Sequence, residues 1–194
     1  MTAVVTRKEQ ATQSRAKLVR IAQQLFVAQG YDATPVSQIL AEAGMARGAL
    51  YHYFPNGKEQ LFEAVIDEVD GALHDGFNQV VESNASPLNQ ILAGFEVLMR
   101  LATDRVFARI ILIEAAGVFP GAWQSGSEYV LLRDALARAV DAGELRPLPI
   151  DAAAATMYGA ARRAADLVAR ADDPETVARE CSDVLRMMLD GLRP

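Results

Sequence analysis

The sequence predicts an all-α protein: an N-terminal three-helix helix-turn-helix domain, then a C-terminal helical domain, about nine helices in all. Three observations carry this. Apolar residues recur at spacings of three and four along most of the 194 residues, the period of a helix with one buried face. No stretch alternates apolar and polar residues as a half-buried strand does. Glycine, proline or capping residues interrupt the periodic segments about one helix length apart.

Residues 1–12 are polar and are expected to form a flexible arm, with Arg7 and Lys8 either solvated or brushing a polyanion. A first helix over about 13–29 turns Leu18, Ile21, Ala22, Leu25 and Phe26 inward, and Gly30 closes it. Thr34 is a suitable N-cap and Pro35 suits the first helical position. Val36, Ile39, Leu40 and Ala43 then give a short helix its inner face. Gly44 stands where the chain must turn sharply, since glycine reaches left-handed backbone angles without steric penalty. A second short helix, starting near Ala46, is anchored by Leu50 and Phe54, four apart. Its other side carries Arg47, Gly48, Ala49, Tyr51 and His52. Two short helices about a glycine are the form of a helix-turn-helix, whose second helix enters a DNA major groove. A guanidinium can bridge guanine O6 and N7, and a small side chain can touch a thymine methyl. Hydroxyl and imidazole groups on the flank suit phosphate oxygens. Helical hairpins also occur in proteins that bind no nucleic acid, and Tyr51 to Phe54 also suit ordinary packing.

Phe54-Pro55-Asn56-Gly57 ends this helix, and Lys58 opens the next, where helix amides and an ammonium both favour an anion. The domain boundary is placed here: 1–57 for DNA binding and 58–194 for effector binding and dimerisation. The helix over 58–82 is apolar at 61, 62, 65, 66, 69, 73, 77 and 80. At 1.5 Å per residue it spans about 37 Å, long enough to link the two domains. Ser86 and Pro87 begin a fifth helix with Leu88, Ile91, Leu92, Phe95, Leu98, Met99 and Ala102 inward. Thr103 or Asp104 caps a sixth, and residues 117–126 break the chain. A seventh runs from about Ser127 to Ala142, stopped by Gly143; Pro147 to Pro149 precede the eighth, and Asp172-Asp173-Pro174 separates it from the ninth.

Phe95, Met99, Phe107, Ile111, Trp123, Tyr129 and Tyr158 offer apolar walls for a small-molecule cavity; the same stripe also suits a solid core. Glu114 lies on that apolar face, where a carboxylate needs a partner. That partner is either a ligand or an arginine such as Arg109, Arg133 or Arg162. In the last two helices, Met157, Ala161, Ala164 and Val168, then Val177, Cys181, Val184 and Met188, follow seam spacing, with Arg162 placed to fix register. These residues either pack on their own core or join two copies in a four-helix interface.

The net charge of −6 is unevenly spread. Residues 1–60 carry seven basic against four acidic residues, and the remainder twelve against twenty-one, with every lysine in the first part. That asymmetry suits a basic DNA-facing end on an acidic body. No apolar run approaches the ~20 residues of a membrane span, and Met1 to Glu9 lack a signal-peptide core, so a cytoplasmic location is expected. One cysteine, Cys181, excludes an intramolecular disulfide. No Cys/His metal cluster, phosphate loop or Ser-His-Asp set stands out, so neither enzyme activity nor a cofactor or metal is expected; the two histidines are His52 and His74.

Gln13 to Asp67 resembles the DNA-binding domain of the TetR (tetracycline-repressor-like) family of transcriptional regulators. The carrying residues are Ala22 to Phe26, Gly30-Tyr31, Thr34, Ala43-Gly44, Arg47 to Phe54, Lys58-Glu59 and Leu61-Phe62. Ala142 to Pro147 and the helical layout extend the likeness. The resemblance implies that Arg47 and Ala49 read base edges, and that Thr34, Tyr51, His52 and Lys58 hold phosphates. With Gln38 and Gly48 these form the candidate DNA-binding set. Leu40 replaces a usual small residue, Ala46 a usual Ser or Thr cap, and the Pro55-Asn56-Gly57 turn is one residue longer than the commonest form. The family further implies a homodimeric, ligand-responsive repressor, released from a palindromic double-stranded operator by a small hydrophobic effector. The alternatives are an all-helical carrier or enzyme without a DNA role, and a TetR-like activator.

Overall fold

A computed structural model describes residues 7–83, 85–120 and 127–194, with backbone alone for Arg7, Lys8 and Ser127. The chain divides into two units, one ending at Val69 and one beginning at Asp70.

In the first unit, α1 (Arg7–Gln29) begins six residues before the predicted start, so residues 7–12, assigned to a flexible arm from their polarity, are helical. Low hydrophobicity marks exposure and does not by itself prevent helix formation. Gly30, at φ 89°, reverses the chain after α1. α2 (Val36–Ala43) ends at Gly44, φ 64°, in a Schellman cap: Met45 N–H donates to Leu40 and Gly44 N–H to Ala41. α3 is the short helix Gly48–Tyr53. It starts at Gly48, near the start predicted around Ala46, and no side chain caps its N-terminus. The unit closes around Leu18, Phe26, Leu50, Phe54, Leu61 and Phe62, all essentially inaccessible. Phe26 meets Phe62 edge-on at 5.2 Å, and Tyr31 lies 4.8 Å from Phe62. α4 (Lys58–Glu82) starts in this unit and ends in the second.

The second unit adds α5 (Pro87–Thr103), α8 (Ser127–Asp141), α9 (Ile150–Ala169) and α10 (Pro174–Asp190). Between α5 and α8, α6 (Arg105–Phe107), a π-helical stretch (Ala108–Glu114) and α7 (Ala115–Val118) form one rod. Counted so, the described residues make nine helices. The caps follow the sequence. Ser86 Oγ accepts from Asn89 N–H, with Pro87 next to it. Asp104 accepts from Val106 and Phe107 at 2.9 and 2.8 Å. Asp173 accepts from Thr176 N–H at 3.2 Å, and the hydrogen bonds from the Thr176 side chain, chiefly, and from its backbone hold the carboxyl below the usual range. Glu144 adds a cap from afar, accepting from Ser86 Oγ and Leu88 N–H at 3.0 and 2.9 Å. α5, α8, α9 and α10 pack on one another around Phe95, Met99, Leu136, Val168, Leu185 and Leu189, and the π stretch packs on α9.

Candidate nucleic-acid interface and ligand cavity

The interface begins with the division of α3 into two faces. Leu50 and Phe54 are buried at 0% and 1% exposure and seat the helix. Arg47, Gly48, Tyr51 and His52 are exposed, and Ala49 is half-buried. Arg47 is the N-cap residue of α3, immediately before its first helical residue. Tyr51 lies against Gly57, whose φ of 72° no side-chain-bearing residue adopts cheaply. Arg15, Lys17 and Arg20 of α1 are exposed as well, and the Arg15 guanidinium stands 5.0 Å above the Phe54 ring.

Two predicted contacts sit differently from expectation. Thr34 is wholly buried. Its hydroxyl donates to the Gly30 carbonyl at 2.6 Å and accepts from Gln29 at 3.2 Å. It pins the turn between α1 and α2 and has no surface to offer a phosphate, nor does it cap α2. Spacing identified the residue, but only packing shows which way it faces. Lys58 is half-buried, its ammonium donating to the Tyr31 carbonyl at 2.6 Å and lying 4.0 Å from the Tyr31 ring centroid. That lysine fastens α4 to the turn after α1. Gln38 is oriented by a chain the sequence gave no sign of: Gln29 donates to Gln38 at 2.8 Å, and Gln38 donates to Glu42 at 3.1 Å.

The second unit holds a mostly apolar cavity of about 80 Å³. Leu73 and Phe77 of α4, Phe95 of α5, Leu131 and Glu128 of α8, and Tyr158 of α9 are among its walls. Of the predicted lining, Phe95 and Tyr158 are present. Met99, Phe107 and Ile111 are solid core, at 2% exposure or less. Glu114 is paired with Arg109 at 2.8 Å, five residues away, a spacing the π turn brings onto one face. Tyr129 sits in a shallower depression and meets Tyr158 edge-on at 5.7 Å. Trp123 lies outside the described residues. The contribution of α4 was missed, although its apolar positions 73, 77 and 80 carried the signal. Burial pushes the Tyr158 hydroxyl above, and the Arg162 guanidinium below, their ordinary pKa values. The cavity is smaller than the roughly 150 Å³ that admits benzene.

The predicted dimer seam also divides. Met157, Ala161 and Val168 are buried within the monomer at 3%, 4% and 0% exposure, and Arg162 lines the cavity beside Asp166 at 3.6 Å. The three buried ones are corrections, because seam spacing marks an apolar face without naming what covers it. Ala164, Val177 and Cys181 are half-buried. Val184 and Met188 are exposed, as are Leu167 and Met187, which the sequence reading left out.

Among the described residues every regular element is helical, with a solvent-facing helix-turn-helix in the first unit and a cavity in the second. Residues 18–65 match the bacterial regulatory proteins of the tetR family, and residues 88–192 match the tetracyclin repressor-like C-terminal domain. The chain belongs to the TetR family. It is 37% identical over 78 residues to the uncharacterised HTH-type regulator YxaF of Bacillus subtilis, 40% of this chain and 41% of YxaF. It is 32% identical over 93 residues to the HTH-type transcriptional repressor KstR2 of Mycolicibacterium smegmatis, 46% of this chain and 45% of KstR2. The matched region thus spans under half the length of these relatives. A TetR-family regulator from Pectobacterium atrosepticum shares the fold with a TM-score of 0.77 at 23% identity, covering 97% of each chain. None of the helices among the described residues is long and apolar enough to cross a membrane.

Proposed function

We propose that this protein is a ligand-responsive, DNA-binding transcriptional regulator, acting in the cytoplasm as a repressor. The exposed outer face of α3 carries this reading: Arg47, Gly48, Tyr51 and His52 face solvent on a helix whose other face is locked into the core. Arg47 and Ala49 read base edges, and Tyr51, His52 and the exposed cations of α1 hold phosphates. Two copies bind a palindromic operator through helices about 34–36 Å apart, joined through α10 and the exposed edge of α9. A small, largely hydrophobic effector enters the second unit. Because the cavity of about 80 Å³ is narrow, its walls must move to admit such a molecule, and a ligand shifts the protein only toward the state it binds more tightly. Repression is favoured over activation by the likeness to KstR2, named a repressor.

Selection from a randomised duplex pool, followed by fluorescence anisotropy on the winning sequence, tests the reading. The expected result is an inverted repeat, and an affinity that falls steeply with added salt, as counterion release demands. Absence of any duplex binding at low ionic strength would refute it.

A further inference from the structure

One cluster in the second unit has no part in DNA binding. His74 on α4 stands between two carboxylates. Its Nδ1–H donates to the Asp70 carbonyl at 3.1 Å and lies 3.3 Å from the Asp70 carboxylate, while its Nε2 lies 3.6 Å from the Glu128 carboxylate in the first turn of α8. Glu128 is also a wall of the cavity, so the ring sits behind a cavity carboxylate. One ligand-type atom from each of the three residues lies within 4.8 Å of the others, so both carboxylates crowd the same ring.

We propose that His74 is a proton-operated latch: as an imidazolium it joins Asp70 on α4 to Glu128 on α8 at the cavity wall, and as a neutral ring it can hold only one of them. A neutral imidazole has one N–H and one lone pair, and a carboxylate can use only the N–H. With Nδ1–H kept by Asp70, loss of the other proton leaves Nε2 to repel Glu128. Among the described residues, Asp70 and Asp75 on α4 and Glu128 on α8 act on the ring with negative charge. Behind them on α9, Tyr158 is coupled to Glu128, Asp70 and Arg162. The Asp70 carbonyl bond, chiefly, and these carboxylates hold the His74 pKa above the ordinary imidazole value. A group raised on folding stabilises the fold fully below about pH 6.5, and that contribution disappears as pH rises through its folded pKa. The latch therefore holds in mild acid and opens toward alkaline pH. Its consequence for an effector rests on the cavity reading above: opening removes the imidazolium from beside Glu128, a wall of the cavity, and favours a ligand that donates a hydrogen bond to that carboxylate.

NMR titration of the ring protons in the ligand-free full chain tests the latch whether or not any effector binds. His52 is the other histidine, and His74→Gln assigns the pair. Wild type should show His74 titrating above the free-imidazole value, with Glu128→Gln moving it down. In parallel thermal melts, wild type should lose Tm relative to His74→Gln as pH rises from 6 to 9. A His74 titration at or below the free value, or one indifferent to Glu128→Gln, overturns the latch. So does a zinc-induced rise in Tm that His74→Gln abolishes, since the ring lone pair would then serve a metal.

Discussion

Arg47 is exposed beside a seated helix, so Arg47→Ala should cost about 1–3 kcal/mol of specific binding and relax discrimination at one base position. Competition anisotropy across single-base operator variants checks this; an affinity loss equal for all variants would assign Arg47 to phosphate. Thr34 makes the opposite case. With its hydroxyl buried between Gly30 and Gln29, Thr34→Val should cost about 1–3 kcal/mol of stability by leaving buried polar groups unmet. Below its melting range the variant should keep the wild-type salt dependence of DNA binding. Urea unfolding and an anisotropy salt series separate that from a phosphate contact, whose loss would flatten the slope. Thr34 was legible as important and not legible as inward, because a hydroxyl bonds a carbonyl and a phosphate equally well.

At the scale of elements, the stops and starts were the most readable part. Gly30, Gly44 and Gly143 all have positive φ where the sequence placed helix ends. At Gly44 an added Cβ would meet nothing within 4 Å, so the left-handed backbone alone sets the cost of substitution. Gly44→Ala should therefore lower stability by about 1–2 kcal/mol, and urea denaturation should show a shifted midpoint with an unchanged slope. The π stretch was not readable, since its apolar residues also fit an α-helical period; widening of the turn shows in the backbone, where Ala115 N–H donates to the Ile110 carbonyl, and in the pairing of Arg109 with Glu114. Nor was the extension of α1 to Arg7, because a polar first turn and a solvated arm have the same composition.

At the scale of the whole molecule, the question is which apolar faces remain for a second copy. Val184, Met187 and Met188 on α10 and Leu167 on α9 keep 40–63% of their surface in solvent, and the proposed dimer would cover them. Charging this patch with Val184→Glu and Met188→Glu should leave the helical content unchanged and shift the protein to monomer in sedimentation velocity. Operator affinity should fall with it, because one monomer reaches one half-site. A double variant that stays dimeric would move the interface elsewhere.

The sequence by itself determined the helical class, the helix ends and the residue set around Gly44, because periodicity, glycine and proline act within a few residues of chain. The tertiary structure decided that Thr34 and Lys58 turn to the Tyr31 loop, that α4 walls the cavity, and that Met157, Ala161 and Val168 belong to the monomer core. Those are questions of which neighbour covers an apolar or polar face. A local pattern marks such a face, but long-range packing alone chooses what lies against it.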